Sequence, residues 1–274
     1  MLGELALASL GHQPLLKWPG GKWRFAHRFR ARIPAHRVYV EPFFGGGSMF
    51  FVKDEAPLSI LGDLTERSIR FHVAVRNGAL RRCKKGVRLS RAAVARGLRG
   101  GASACEMLAW AGSSYHGMAA VQQTGIDRVK GASYGRAKLR RLADYEGMLR
   151  RAHLTIGDFR RTIRLGDKKG GKDAFFFLDP PWPGIGGYSK KYARIGGKDG
   201  SGDELSPKKV REGIGKVRGK AWVIYNDHPA VREAFCGRRG KWRCHRIRMQ
   251  TSDPSRGGMR VTPWILATNY RMGR

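Results

Sequence analysis

"AFFFLDPPW", residues 174–182, is an unbroken apolar run that ends on an acid, two prolines and a tryptophan. An apolar run with no polar alternation suits a strand covered on both faces, as in a parallel sheet. Proline cannot donate to a sheet ladder, so the two prolines mark where the strand stops. The same design recurs along the chain. "RVYVEPF" (37–43), "LSILGD" (58–63), "AHLTIGDF" (152–159) and "AWVIYND" (221–227) are β-rich runs ending in acids or turn residues, and "VTPWILATNY" (261–270) is the last strong one. Helical patterns lie between them, around 22–32, 64–76, 137–151 and 206–217. Such alternation predicts an α/β fold with a doubly wound mixed sheet. In that fold ligands sit beyond the carboxyl ends of the strands, where these acids gather.

Two glycine-rich stretches, 165–172 and 183–202, read as loops. Residues 78–135 interrupt the rhythm with helix-like segments around 90–99 and 102–111. From Arg67 through Cys105 there is no acid against eleven Lys or Arg. This span reads as a basic helical insertion in a domain formed by residues 1–77 and 136–274.

Charge is the strongest global feature. The 274 residues carry 54 Lys and Arg against 21 Asp and Glu, a formal net charge of +33. A chain so basic points to a polyanionic partner, above all nucleic acid. No long amphipathic basic helix argues for a membrane surface, and no apolar run reaches the ~20 residues of a bilayer span. The short apolar run in "MLGELALASLGHQP" lacks a basic start and reads as a leading helix, not a secretory signal. Cys83, Cys105, Cys236 and Cys244 have neither CxxC pairing nor histidines at zinc-finger spacing. They read as reduced thiols of an intracellular protein, with no metal expected.

"YVEPFFGGGSMFF" (39–51) sets a strand, an acid-proline turn and three consecutive glycines before an apolar run. Glycines at such a turn let the backbone approach a ligand closely. Neither GxGxxG nor the lysine of a phosphate loop is present, so phosphate is not indicated. "ILGD" ends the next strand in Asp63, where an acid suits two ribose hydroxyls. Together the two pieces indicate an adenosyl ligand. Upstream, "LLKWPGGKWRF" (15–25) places Trp18 and Lys22 beside a second glycine turn, able to grip an adenosyl or carboxylate group.

"LKWPGGK", "YVEPFFGGGSMFF", "ILGD" and "FLDPPW" follow one another in the order of the α-group, Dam-like DNA adenine-N6 methyltransferases, which the chain resembles from about residue 15 to 270. Further echoes are "WAGSSYHGM" (110–118), "SYGR" (133–136), "YNDHPAVREAF" (225–235) and "ILATNY" (265–270). The resemblance implies a Rossmann-like methyltransferase fold, S-adenosylmethionine as cofactor and double-stranded DNA as partner. It also implies an intracellular place of action, in a bacterial or viral-host cytoplasm. It makes 78–135 the target-recognition insertion. By it, Trp18 and Lys22 contact the cofactor, and Glu41, Pro42, Phe43, Gly45 and Gly47 form the turn beneath its methionine part. Asp63 holds the ribose, Asp158 and Phe159 flank the adenine, and Asp179, Pro180, Pro181 and Trp182 form the catalytic corner, with Asp179 also beside the cofactor. Arg81, Arg82, Lys84, Lys85 and Arg88 are the expected phosphate contacts. Tyr115, His116 and Arg136 are candidates for base readout, and Tyr188, Lys190 and Lys191 follow the corner as further DNA contacts.

The corner has a chemical logic. The lone pair of adenine's exocyclic amine is delocalised into the ring, which makes it a poor nucleophile. Asp179 and the Pro180 carbonyl can accept its two N–H bonds and return that lone pair to nitrogen. The prolines fix the carbonyl's direction, and Trp182 offers a stacking face to a base swung out of the duplex. Two departures stand out. Tryptophan replaces the usual tyrosine or phenylalanine, and "RVTPW" stands where an acid often precedes the last strand. The excess basic charge suggests weak sequence selectivity. The same corner also suits cytosine N4 or adenine in RNA, and a non-enzymatic nucleic-acid-binding module on this fold is a further alternative. Recognition sequence and oligomeric state are not encoded in any motif.

Overall fold

The computed structural model describes residues 12–18, 20–83, 102–113, 135, 137–184, 205–237, 240–253 and 258–273. Its framework is one seven-stranded sheet of order β3-β2-β1-β4-β5-β7-β6. The strands are β1 (Val38–Glu41), β2 (Leu58–Asp63), β3 (Ala152–Ile156), β4 (Ala174–Leu178), β5 (Lys220–Asn226), β6 (Arg243–Asp253) and β7 (Gly258–Thr268). The first five pair in parallel, and β7 runs antiparallel between β5 and β6. Chain order reverses between β1 and β4, so the crevice at their carboxyl ends is the switch point where such sheets bind ligands. This is a doubly wound mixed α/β sheet of Rossmann-like build.

Alternation within the strands divides the core in two. Phe175 and Phe177 of β4 pack with Tyr39, Phe25 and Trp222 on one face, whereas Phe176 and Leu178 pack with Val40, Ile163 and Val223 on the other. The first face is covered by α1 (Trp23–Phe29), α2 (Glu66–Arg76), α3 (Ala104–Ser113) and α4 (Leu142–Arg150). The second is covered by α5 (Phe159–Gly170), α6 (Pro207–Ile214) and α7 (Pro229–Phe235). Local signals start the last three helices. Asp158 accepts from the Arg160 amide at 2.8 Å, Ser206 from the Lys209 amide at 3.2 Å, and His228 from the Ala230 amide at 3.2 Å. Pro207 and Pro229 occupy first-turn positions, where a missing N–H costs nothing.

Two expectations are corrected. The stretch 165–172 is not a loop: most of it is the second half of α5, and a 3-10 turn follows over Gly171–Asp173. Its glycines serve contact, since a Cβ on Gly166 would lie 2.5 Å from Val40 Cγ2, and one on Gly170 would lie 2.7 Å from Val38 Cβ. The cysteines are not reduced thiols. Cys83 bonds Cys105 and Cys236 bonds Cys244, with Cα separations of 5.6 Å and 5.4 Å. Folding brings the end of the 3-10 turn after α2 against α3, and the end of α7 against β6, proximities that spacing in sequence does not reveal. A further strand, β6, spans the charged "RCHRIRMQTSD", a stretch to which the sequence pattern assigned no element. The helix-like segment 90–99 and the stretch 183–202 lie largely outside the described residues, whereas 102–111 is matched by α3.

Candidate active site at the carboxyl ends of β1 and β4

Each of the five parallel strands delivers an acid to the same end of the sheet: Glu41, Asp63, Asp158, Asp179 and Asp227. Their surroundings differ, and so do their roles.

The glycine turn after β1 is built by close approach. Gly45 and Gly47 sit at φ +48° and +71°, a region that side chains resist. A Cβ on Gly45 would lie 2.6 Å from Trp18 Cδ1, and one on Gly46 would lie 2.4 Å from the Leu16 carbonyl oxygen. The segment carrying Trp18 therefore lies directly on the turn. Asp63 ties the turn to β2: its Oδ2 accepts from the Gly45 amide and its Oδ1 from the Thr65 amide, both at 2.7 Å. Burial raises its pKa, and those amides oppose the rise. Glu41 points into the core, accepting from the Tyr39 hydroxyl at 2.7 Å. Burial pushes its carboxyl well above the usual range. Pro42 is buried, while Phe43 stacks on Phe159 with ring centroids 5.2 Å apart. Asp158 is exposed and held by Arg160 at 2.9 Å. Burial works to raise its pKa, but the Arg160 bonds outweigh it and hold the carboxylate down.

The corner after β4 contains the most concentrated polar anomaly. Asp179 Oδ1 lies 2.9 Å from the Lys22 ammonium, an ion-pair contact off the hydrogen-bond direction. Burial raises the Asp179 pKa and Lys22 counteracts it. The same ammonium lies 4.3 Å above the Trp182 ring and 2.5 Å from the Gly20 carbonyl. Trp182 meets Trp264 of β7 edge-on, at 4.9 Å. Asn226, ending β5, donates to the Pro183 carbonyl at 3.1 Å and so ties down the segment leaving the corner. Among the described residues, Asp179 Oδ1, Trp182 Nε1, Tyr225 Oη and Asn226 Oδ1 are buried atoms at the ends of β4 and β5 without an aligned hydrogen-bond partner. Buried polar groups are nearly always satisfied, so such a gathering marks a place built to meet a ligand.

Trp18, Lys22, Gly45, Gly47, Asp63, Asp158, Phe159 and the Asp179–Trp182 corner thus share one end of the sheet. Sequence reasoning missed Tyr225, Asn226, Trp264, Leu64 and Ile156. The last two are apolar yet 42% exposed, flanking Asp63 and Asp158. The "YND" that ends β5 carried a signal for the first two. Of the expected DNA contacts, Arg81 forks its guanidinium onto buried Glu146, with Nε 3.0 Å from Oε1, and Arg82 is exposed. Lys84, Lys85, Arg88, Tyr115, His116, Arg136, Tyr188, Lys190 and Lys191 lie outside the described residues. Among the described residues no helix is long and apolar enough to cross a membrane, and no three His, Cys, Asp or Glu form a metal-binding group.

Comparison with known proteins accords with this geometry. Residues 18–93, which contain the glycine turn and Asp63, match the model of the D12 class N6 adenine-specific DNA methyltransferases. That stretch is similar to the class. The D12 likeness extends to the Type II methyltransferase M.CviBI of Paramecium bursaria Chlorella virus NC1A, 34% identical over 68 residues. That alignment takes in 24% of this chain, and the chain spans about a quarter (26%) of the viral protein's length. A solved structure, described as a "putative RNA methyltransferase" from Pyrococcus horikoshii, aligns over 97% of this chain and 94% of its own. Its TM-score is 0.40 at 11% identity, too slight a likeness to bear on function.

Proposed function

We propose that this protein transfers a methyl group from S-adenosylmethionine to the N6 amine of adenine in double-stranded DNA, with low sequence selectivity. The observation that carries the reading is the Asp179–Trp182 corner, held by Lys22 and Asn226 across the switch point from the glycine turn. The residues suit the cofactor. Gly45 and Gly47 leave backbone where a Cβ would intrude, Asp63 stands at the turn, and exposed Leu64 and Ile156 offer apolar walls. When bound, S-adenosylmethionine supplies an electrophilic methyl group.

The protein's own residues then do the rest. Asp179 and the Pro180 carbonyl accept the two N–H bonds of the amine and direct its lone pair outward. Lys22 opposes the rise that burial imposes on the Asp179 pKa, and Trp182 stacks on the extruded base. Trp18 packs on the turn, Asp63 reaches the ribose with its remaining lone pairs, and Asp158, Phe159 and Phe43 frame the adenine. Glu41, bonded inside the core, and Pro42 support the turn. Residues 1–77 and 136–274 form the catalytic domain and 78–135 the recognition insertion. Arg82, Lys84, Lys85 and Arg88 track phosphates there, with Arg81 orienting the span through Glu146. Tyr115, His116 and Arg136 read bases, and Tyr188, Lys190 and Lys191 grip the strand beyond the corner.

The test is to expose unmethylated genomic DNA and, separately, RNA to the protein and labelled cofactor, then analyse nucleosides and map every modified base. N6-methyladenine at many sequences is the expected product. N4-methylcytosine, or label only in RNA, would reassign the substrate, and no label in either would remove the reaction.

A further inference from the structure

The strands β6 and β7 outrun the sheet. Asn226, the last residue of β5, pairs with Trp264, yet β6 and β7 stay paired from there to Asp253↔Gly258. At ~3.4 Å per residue the six residues 258–263 carry a two-stranded ribbon about 20 Å past the carboxyl end of β5. It therefore projects on the side of the sheet where the corner lies. Its root touches that corner, since Trp264 packs on Trp182 and its ring lies 5.7 Å from the Lys22 ammonium.

The ribbon's surface is cationic and partly apolar. Arg248, Gln250 and Arg260 are exposed on it, while Met249 turns into the core. Arg248 stands opposite Pro263 and Gln250 opposite Val261, and opposed residues share a face. From residue 234 to the end, the sequence holds one acid, Asp253. Helix α1 brings more positive charge to the same place: Arg28 donates to the Arg248 carbonyl at 2.7 Å, and Arg24 to Gln250 Oε1 at 3.4 Å. Crowding guanidinium groups is unfavourable alone and favourable against a polyanion. Four large apolar side chains are exposed among the described residues: Leu64 and Ile156 flank the proposed cofactor seat, and Met259 (47%) and Val261 (60%) lie on the ribbon.

We propose that this ribbon is a second nucleic-acid contact, separate from the insertion, that lies along the duplex beside the extruded base. Arg248 pairs with a backbone phosphate from the face that carries Met259 and Val261, which rest against the groove, and Arg260 reaches a phosphate from the opposite face. The ~12 Å major groove admits a two-stranded ribbon, and a reach of about 20 Å parallels some six base pairs. The inference rests on the reading of the corner as one that acts on a nucleic-acid base. Contacts of this kind position the protein without selecting sequence.

The experiment compares the full-length protein with a double variant, Arg248→Gln with Arg260→Gln, binding a short random-sequence duplex over a range of salt. Each lost phosphate contact removes roughly 0.9 from the log–log slope, so the slope should become shallower by about 1.8. The corresponding double lysine variant should keep the parent slope, because it keeps the charge. Calorimetric affinity for S-adenosylmethionine reports whether the cofactor half of each variant is intact. Equal slopes for parent and glutamine variant overturn the ribbon contact, even if the parent methylates DNA and the proposed reaction stands. Unequal slopes in a parent that methylates nothing leave the contact and remove the reaction. A parent that does not bind duplex at all overturns both.

Discussion

The chain leaves the sheet at β1 and at β4 by opposite means. After β1 it makes the turn with glycines, whose backbone freedom is removed by what lies on them: Trp18 on Gly45, the Leu16 carbonyl over Gly46, and the Asp63 carboxylate on the Gly45 amide. After β4 it uses prolines, whose rigidity is covalent, and surrounds them with buried polar atoms that lack aligned partners. One end is shaped by packing and should fail when packing fails. The other is shaped locally and should fail when its chemistry is removed. A ligand seat and a reacting corner have different requirements, and the two turns divide them.

That division can be tested at four places. Asp179→Ala should cost methyl transfer on the order of 10²-fold or more in a protein that still folds, because the variant removes the corner's side-chain acceptor from a transition state. Near-normal turnover would end the amine-clamp assignment.

Acid should attack the packed end. His72 is fully buried beneath the glycine turn, its ring 4.6 Å from that of Phe44, and its Nδ1 lies 2.8 Å from the Ser68 carbonyl. Burial lowers its pKa from 6.5 to about 4. Between those values the unfolded chain binds the proton and the folded one does not. This contribution to stability is therefore complete above pH 6.5 and lost as pH falls toward 4, a loss of about 3 kcal/mol. Denaturant titrations at both pH values, on the parent and on His72→Gln, would read it. An equal pH response in the two proteins would show that His72 is not responsible.

Gly45→Ala comes next. A side chain in the left-handed region costs about 1–2 kcal/mol, before any displacement of Trp18. Affinity for S-adenosylmethionine should fall about tenfold, with binding to duplex retained. Unchanged affinity would mean that the cofactor seat is elsewhere. Smallest is Pro181→Ala, which should lower unfolding free energy by only about 0.4–1 kcal/mol, by freeing the unfolded chain. A loss of several kcal/mol would show that the proline corner also depends on packing.

Much of this architecture could be read before any coordinates. The buried strands were visible because runs such as Phe175–Phe176–Phe177 are apolar on both faces, and the acids at their ends were visible because they stop those runs. The glycine turn and the corner are local in sequence and carry their chemistry with them. What escaped was set by contact between distant segments. Gly166 and Gly170 resembled loop residues until Val40 and Val38 were found against them. In β6, apolar Ile247 and Met249 alternate with arginines that face solvent, so the apolar pattern of this edge strand was too thin to stand out. The disulfide partners and the orphaned Tyr225 hydroxyl likewise depend on tertiary neighbours.

The Cys83–Cys105 bond closes a ring around residues 84–104, the first arm of the insertion. A single proteolytic cut inside that ring leaves both pieces joined through sulfur. On a denaturing gel the nicked protein stays one band without a thiol and becomes two with one. A cut at 114–134, which no disulfide spans, gives two bands either way. The thiol-dependence of the pattern therefore reports which arm a protease reached, and whether bound nucleic acid shields one arm from it.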